Sequence, residues 1–204
     1  WGLLLSASKE VRPRYPSLKW VAQIKATYES RIHFSGHVCG NWARKICKGI
    51  FPEDLNQVLF PRMQLNVAPF FQKEVKDAGI MAACLPPGRE YILQVGSLVE
   101  PGLDLARQLT QEGVDVSILF DASGGHGVTP EHWPNLPDDL KCGFAGGLGP
   151  DNLEGQLGKL NNIVGESTVW VDMESKVRSD DGSILDMNKV RRCLEIAKPY
   201  CSKV

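Results

Sequence analysis

The chain has 204 residues, of which 43% are hydrophobic and 23% are charged. These proportions exclude a disordered or fibrous protein and predict one globular domain over residues 1–204 with a sizeable core. The 23 Lys and Arg nearly balance the 24 Asp and Glu, so the formal net charge is −1. A chain this neutral has no global field that attracts nucleic acid or acidic membranes. It also has no run of about 18 apolar residues that would span a bilayer.

Seven short apolar runs alternate with longer amphipathic stretches, and each run has the length of a β-strand. The runs are Trp1–Ser6, Ile32–Cys39, Met63–Val67, Tyr91–Val95, Val116–Phe120, Cys142–Ala145 and Thr168–Met173. Strict alternation of strands and helices predicts a parallel sheet with crossover helices. Seven strands are one short of a closed (β/α)8 barrel, and a missing first strand would account for the difference. The alternative is an open doubly wound sheet.

The stretches between the runs carry helix start signals, mostly a proline or an aspartate at the first turn. The predicted helical stretches are Pro16–Ile24, Pro69–Cys84, Pro101–Leu109, Pro150–Leu157 and Asp186–Ala197, with two short helices expected within Asn41–Arg62. Glycines then provide helix ends, as Gly113 and Gly165 do after two of these stretches.

The six cysteines show no C-x-x-C spacing and no zinc-binding pattern. Disulfide scaffolds are usually short chains that cannot build a core, so we expect reduced thiols and a cytoplasmic protein. Cys39, two residues after His37, is either a thiolate nucleophile or, as we expect, a packed side chain. A metal site of His33, His37, Cys39 and Asp121 is conceivable, but it lacks a recognisable spacing, and we expect no bound metal.

The glycine-rich segment Ala145–Asn152 follows the sixth apolar run and reads Ala-Gly-Gly-Leu-Gly-Pro-Asp-Asn. Glycine lets the backbone approach a ligand closely, and a helix start offers free N–H groups. The segment is therefore a candidate anion site, typically for phosphate, at Gly146–Gly149. The alternative is a tight turn between a strand and a helix.

A second candidate is Asp121, which directly follows the fifth run and precedes Gly124, Gly125 and Gly127. A carboxyl group at the carboxyl end of a parallel strand can act as a general acid or base. The alternative is that Asp121 caps the loop that follows.

The third candidate is a set of charged residues at alternate positions after the seventh run: Asp172, Glu174, Lys176 and Arg178. They would form either a ring of charges at the mouth of a site or a solvated loop with mutual salt bridges.

In this order, the motifs resemble those of the phosphoribosylanthranilate isomerase family. The loop after Asp121 resembles its Gly-Gly-x-Gly, residues Ala145–Asn152 resemble its Ala-Gly-Gly-Leu-x-Pro-x-Asn, and Val171–Arg178 resembles its eighth strand. Upstream, Pro13–Tyr15 resembles the Ser-Pro-Arg-Tyr after its second strand, and Gln64–Asn66 the Gln-Leu-His on its fourth. The resemblance implies a (β/α)8 TIM barrel of the ribulose-phosphate-binding type that lacks its first strand.

The same resemblance implies an aldose–ketose isomerase that catalyses an Amadori rearrangement of an aminated ribose phosphate in tryptophan biosynthesis. Asp121 would protonate the ring oxygen, and a cysteine on the first strand would be the general base. The implied substrate contacts are Arg14, Gln64, Gly124, Gly125, Gly146, Gly147, Asp172 and Ser175. The implied partner is a small sugar phosphate, with no cofactor, no nucleic acid and no membrane, in a monomer or homodimer.

Two departures from the family pattern favour a second hypothesis, a barrel that binds another phosphorylated or acidic metabolite without turnover. The family's Lys-x-Cys-Gly strand is absent from these residues, and His37–Gly40 resembles it only on the expected third strand. The family's Ser-Ser-Gly on the eighth strand is replaced by Glu174-Ser175-Lys176. This replacement places a carboxylate beside an expected phosphate, which it repels.

Overall fold

A computed structural model describes residues 1–7, 14–67, 71–96, 101–124 and 126–201. The described residues belong to two compact units. The N-terminal unit lies within Trp1–Gln94 and Val99–Ile118, and the C-terminal unit lies within Val95–Leu98 and Leu119–Val204. A single domain over residues 1–204 stays a prediction.

The seven predicted strands are all present in the described ranges. They are β1 (Gly2–Leu5), β2 (Ser35–Val38), β3 (Arg62–Leu65), β4 (Glu90–Val95), β5 (Asp115–Phe120), β6 (Lys141–Ala145) and β7 (Trp170–Asp172). They belong to one sheet in which the strand order follows the chain order. The registered pairs β1–β2, β2–β3, β3–β4 and β6–β7 are parallel. Sequential parallel order is that of a (β/α)8 barrel and excludes the doubly wound alternative, whose order reverses at a switch point.

The helices follow the predicted stretches with one difference. They are α1 (Leu18–Tyr28), α2 (Gly40–Cys47), α3 (Phe71–Glu74), α4 (Ala78–Cys84), α5 (Pro101–Gln111), α6 (Leu153–Val164) and α7 (Met187–Ala197), with a 3₁₀ helix at Glu53–Val58. The stretch predicted as one helix from Pro69 is divided, because the Asp77 side chain accepts a hydrogen bond from Ile80 N at 3.2 Å and begins α4 anew. Pro69 itself lies outside the described residues.

Side-chain caps begin two more helices, of which the sequence pattern predicted the Asp186 cap and not the Ser17 cap. Ser17 Oγ accepts a hydrogen bond from Trp20 N at the start of α1. Asp186 Oδ1 accepts from Asn188 N and Lys189 N at the start of α7. These acceptors satisfy N–H groups that have no partner within the first helical turn.

The core of the N-terminal unit is formed by apolar side chains of its strands and of α2. Leu5, Val38, Met63 and Ile46 are fully buried. In β3 the successive residues Met63, Gln64 and Leu65 are all buried, so this strand is covered on both faces and lacks a clean alternation of apolar and polar residues. None of the helices in the described ranges is both long and apolar enough to span a lipid bilayer.

Three aromatic rings form the centre of the C-terminal unit. Phe120, Trp133 and Phe144 contact one another edge to face, with ring centroids 5.5–6.4 Å apart. Trp133 also donates a hydrogen bond from Nε1 to Gln156 Oε1 at 2.9 Å. Trp133 belongs to the loop that begins at Asp121 and connects β5 to β6. Its ring contacts and its hydrogen bond therefore hold this loop against the core of the unit.

Candidate functional site

Asp121 is the buried carboxylate of the C-terminal unit. It follows the last residue of β5, and only 5% of its surface is exposed. Its Oδ1 accepts hydrogen bonds from Ser123 N at 3.1 Å and Ser123 Oγ at 2.7 Å, and its carbonyl oxygen accepts from Gly124 N at 3.0 Å. Asp121 thus caps its loop, as one alternative proposed, and its buried carboxyl group also lies at the carboxyl end of a strand, where a general acid can act.

Ser123 connects Asp121 to the following loop, a role that the sequence motifs did not single out. Its hydroxyl donates to Asp121 and accepts from Gly127 N at 3.1 Å. The two-residue spacing between Asp121 and Ser123 is that of an Asx turn, a signal that was available in the sequence.

The glycine turn Gly146–Gly149, predicted as a phosphate site, directly follows β6 and is buried throughout. Gly146 has φ 132° and Gly147 has φ 58°, both in the region that favours glycine. A Cβ on Gly146 would lie 3.8 Å from Asp121 Oδ1. The predicted acid and the predicted phosphate turn are therefore neighbours on the same edge of the sheet.

A segment of the β5–β6 loop, Gly127–Pro130, covers this turn, and we call it the strap. A Cβ on Gly147 would lie 2.5 Å from Gly127 O and 2.8 Å from both Thr129 N and Thr129 Oγ1. A Cβ on Gly146 would lie 3.4 Å from Pro130 Cδ. The glycines let two stretches of backbone meet here, so an anion can reach this face of the turn only if the strap moves.

Asn152 joins the strap to the glycine turn. Its Nδ2 donates to Gly147 O at 3.0 Å and to Thr129 Oγ1 at 3.1 Å. Its Oδ1 accepts from Gly149 N at 2.9 Å. One N–H group that could bind an anion is therefore occupied by the chain's own amide oxygen.

The chain after β7 completes this side of the C-terminal unit. Asp172 ends β7 and lies beside Ala145 in the parallel register. Ser175 Oγ lies against the backbone of Gly127, and Lys176 Cβ lies against Gly149. The loops after β5, β6 and β7 thus bring predicted site residues together, with the Lys176 side chain packed where a glycine stands in the family pattern.

Several charged residues of the segment that follows β7 contact other side chains of the same segment. Arg178 Nε lies 3.8 Å from Glu174 Oε1. Asp181 accepts hydrogen bonds from the hydroxyls of Ser179 and Ser183, and these bonds lower the pKa of its carboxyl to about 2. Of the four charges predicted after the seventh run, Arg178 and Glu174 thus form one ion pair, and the choice between a charged site mouth and a solvated loop stays a prediction.

In the N-terminal unit, the predicted site residue Gln64 belongs to a short chain of hydrogen bonds. Gln64, 5% exposed, donates from Nε2 to Asn66 Oδ1 at 2.9 Å, and Asn66 Nδ2 donates to Cys39 Sγ at 3.2 Å. Ser6 lies next to this chain of bonds, because its hydroxyl is 3.4 Å from where a Cβ on Gly40 would stand. The Ser6 hydroxyl is buried without a hydrogen-bond partner in the described residues, a feature the sequence did not signal.

The other predicted contacts are placed as follows. Arg14 is exposed and adopts φ 91°, which is uncommon for a residue with a side chain. Pro13 and Gly125 lie outside the described residues.

All six cysteines are free thiols. Burial raises the pKa of the Cys47 thiol and of the Cys142 thiol to about 12. Across the described ranges, no group of three His, Cys, Asp or Glu side chains could hold a metal ion. Cys47 and Cys142 therefore behave as packed apolar side chains.

The comparisons with known proteins find similarity to solved structures, but not to a family model or a curated protein sequence. No protein-family model matches the chain, and no curated protein matches it. TrpF from Jonesia denitrificans is similar with a TM-score of 0.63 and 17% identity, over 99% of this chain and 87% of that one. Phosphoribosyl anthranilate isomerase from Thermus thermophilus is similar with a TM-score of 0.65 and 15% identity, over 98% and 88% of the two chains. The enzyme of the same name from Thermotoga maritima is similar with a TM-score of 0.53 and 15% identity, over 97% and 87%. The resemblance inferred from the motifs is thus confirmed at the level of the fold, which is that of phosphoribosylanthranilate isomerase.

Proposed function

We propose that this protein is an aldose–ketose isomerase that catalyses an Amadori rearrangement of an aminated ribose phosphate. The observation that carries the proposal is the position of Asp121, buried at the carboxyl end of β5 and beside the glycine turn. In a (β/α)8 fold the carboxyl ends of the strands hold the chemistry. The solved structures with the same fold bear the name of this isomerase.

In the proposed reaction, Asp121 gives its proton to the ring oxygen of the sugar while the C1–O bond breaks. The nitrogen lone pair forms a C=N bond, a base then removes the proton from C2, and the resulting enol tautomerises to the ketose. Ser123, which donates two hydrogen bonds to Asp121 Oδ1, orients the carboxyl group and stabilises its ionised form after the transfer. By resemblance, the base is a cysteine in the Lys-x-Cys-Gly motif of the family's first strand.

The remaining roles are also proposed from the resemblance. The backbone of Gly146 and Gly147 would bind the phosphate, with Gly124, Gly125, Asp172 and Ser175 around the same ligand. Arg14 would hold a carboxylate of the substrate, and Gln64 would be a further substrate contact.

A second candidate function is binding of a phosphorylated or acidic metabolite without turnover. The specific observation that favours it is the covered glycine turn, where Gly127 and Thr129 of the strap stand over Gly147 and Asn152 occupies the N–H of Gly149. The carboxylate of Glu174 adds repulsion toward a phosphate.

The experiment that separates the two functions is turnover of the aminated ribose phosphate by the parent protein and by Asp121→Asn. The asparagine keeps an oxygen acceptor for Ser123 but has no proton of suitable acidity. We expect turnover to fall by roughly 10²–10⁴-fold, since this is the usual contribution of general acid catalysis. The melting temperature should change little.

The matched control is Asp151→Asn, an exposed carboxylate of the same unit whose partner is Arg192 at 3.3 Å. This variant should retain full turnover. If Asp121→Asn lowers the melting temperature while keeping its activity, Asp121 is only a loop cap. An inactive parent that still binds the sugar phosphate in calorimetry would support the non-catalytic function.

A further inference from the structure

A cavity of about 650 Å³ in the N-terminal unit lies at the amino ends of three strands. Its lining includes Arg62, Glu90 and Asp115, the first residues of β3, β4 and β5. The cavity is therefore at the opposite strand ends from Gln64 and Asn66. Its volume lies in the range of about 300–1,000 Å³ that is usual for small-molecule sites.

Two of the lining charges are already neutralised by each other. Arg62 Nε donates to Glu90 Oε2 at 2.6 Å, and its second nitrogen donates to Glu90 Oε1 at 3.3 Å. The hydroxyl of Ser117 donates to the same carboxylate. Because Arg62 and Glu90 neutralise each other, the choice of ligand depends on the other charged residues that line the cavity.

Of the two arginines that line the wall, Arg62 pairs with Glu90, whereas Arg89 has no carboxylate partner among the residues that the structure describes. Its side chain donates from one terminal nitrogen to Pro87 O at 2.7 Å, and its Nε is buried without a hydrogen-bond partner in the described residues. A buried donor without an acceptor costs free energy that an incoming oxygen can recover. A guanidinium in this state is suited to a carboxylate or a phosphate, both of which offer paired oxygen atoms.

Two further carboxylates line the same cavity and would repel a simple anion. Glu112 directly follows α5 and lines the wall together with Asp115. A phosphate or dicarboxylate would be attracted by Arg89 but repelled by these carboxylates. A ligand that carries an ammonium group in addition to its carboxylate would be attracted by both.

The rest of the wall provides an apolar surface and room for close approach. Ala82, Leu85 and Val114 are lining residues without charge. Gly88 and Gly113, with φ 72° and 83°, have no atom within 4 Å of where a Cβ would stand. A ligand can therefore contact the backbone on two sides of the cavity.

We propose that this cavity is a binding site for a free α-amino acid. Its carboxylate binds Arg89, its ammonium group binds Glu112, and its side chain lies on the apolar wall at Leu85 and Val114. The lining residues all belong to the N-terminal unit, and the proposal does not depend on the proposed isomerase function.

The test is a titration of the full chain with each of the twenty L-amino acids at 10 mM (about 100-fold above an expected dissociation constant of roughly 100 µM), followed by melting temperature and calorimetry. At that saturation we expect at least one amino acid to raise the melting temperature by about 5–10 °C. Its amide, which lacks the carboxylate, and its N-acetyl derivative, which lacks the ammonium, should not. Amide NMR signals of Gly88 and Gly113 should shift on binding.

Arg89→Gln and Glu112→Gln should each weaken the binding by about 10–100-fold, because each removes one charge-assisted hydrogen bond. The controls on the same unit are Arg107→Gln and Asp104→Asn on α5, variants of a half-buried and an exposed residue outside the lining of the cavity, and both should bind like the parent. If Arg89→Gln does not fold, Glu112→Gln decides the question, because Glu112 is exposed.

Three results would overturn the proposal. In the first, no amino acid changes the melting temperature by more than about 1 °C. In the second, the amide or N-acetyl derivative binds as well as the amino acid, or inorganic phosphate binds through Arg89 while amino acids do not. In the third, an amino acid binds but Glu112→Gln binds it with the parent's affinity.

Discussion

Gly147→Ala tests whether the strap truly lies on the glycine turn. Gly147 has φ 58°, which costs a residue with a side chain about 1–2 kcal/mol. The new methyl group would also stand 2.5 Å from Gly127 O and 2.8 Å from Thr129 N. These are backbone atoms, so relief requires the strap to shift, and overpacking of this kind typically costs about 1–3 kcal/mol.

The two contributions together predict a loss of about 2–5 kcal/mol in the free energy of unfolding, which corresponds to roughly 4–20 °C in melting temperature for a chain of this length. The assay is equilibrium unfolding in urea with a thermal scan of the same samples.

The matched control is Gly155→Ala in the first turn of α6. Nothing lies within 4 Å of where its Cβ would stand, and the residue is exposed in a helix. Alanine there should stabilise the protein by up to about 1 kcal/mol, because glycine is the poorer helix former. If Gly147→Ala unfolds at the same urea concentration as the parent, the strap does not press on the turn and the covered anion site is refuted.

Two further predictions concern single side chains. The pKa of Asp181 is lowered from 3.8 to about 2 in the folded chain, so its contribution to stability is present above pH 4 and is lost as the pH falls toward 2; Asp181→Asn should flatten this acid limb in pH-dependent urea unfolding, and an unchanged limb would contradict the assignment. Cys201 is the exposed thiol, whereas Cys47 and Cys142 are buried with a pKa of about 12; a thiol reagent at pH 8 should therefore show a fast phase that Cys201→Ser removes, and persistence of that phase would show another thiol to be accessible.

Much of the candidate site could be predicted from local sequence because its residues directly follow strands. Asp121 comes immediately after the apolar run of β5, and Gly146 immediately after that of β6. In a parallel sheet both positions fall at the carboxyl edge, so their proximity followed from the pattern. The hydrogen bonds that hold Asp121, from Ser123, also lie within two residues of it.

The sequence alone determined the strand–helix alternation, because each apolar run and each capping side chain acts over a few residues. Asp186 begins its helix through bonds to residues two and three positions away. The tertiary structure alone decided that the predicted phosphate turn is covered, because Thr129 and Gly147 meet across 18 residues of chain. It also decided that Nε of Arg89 is buried with no acceptor among the described residues, since this depends on which groups of neighbouring loops approach the side chain. Contacts between segments that are distant along the chain depend on the packing of whole elements, and local patterns contain no information about them.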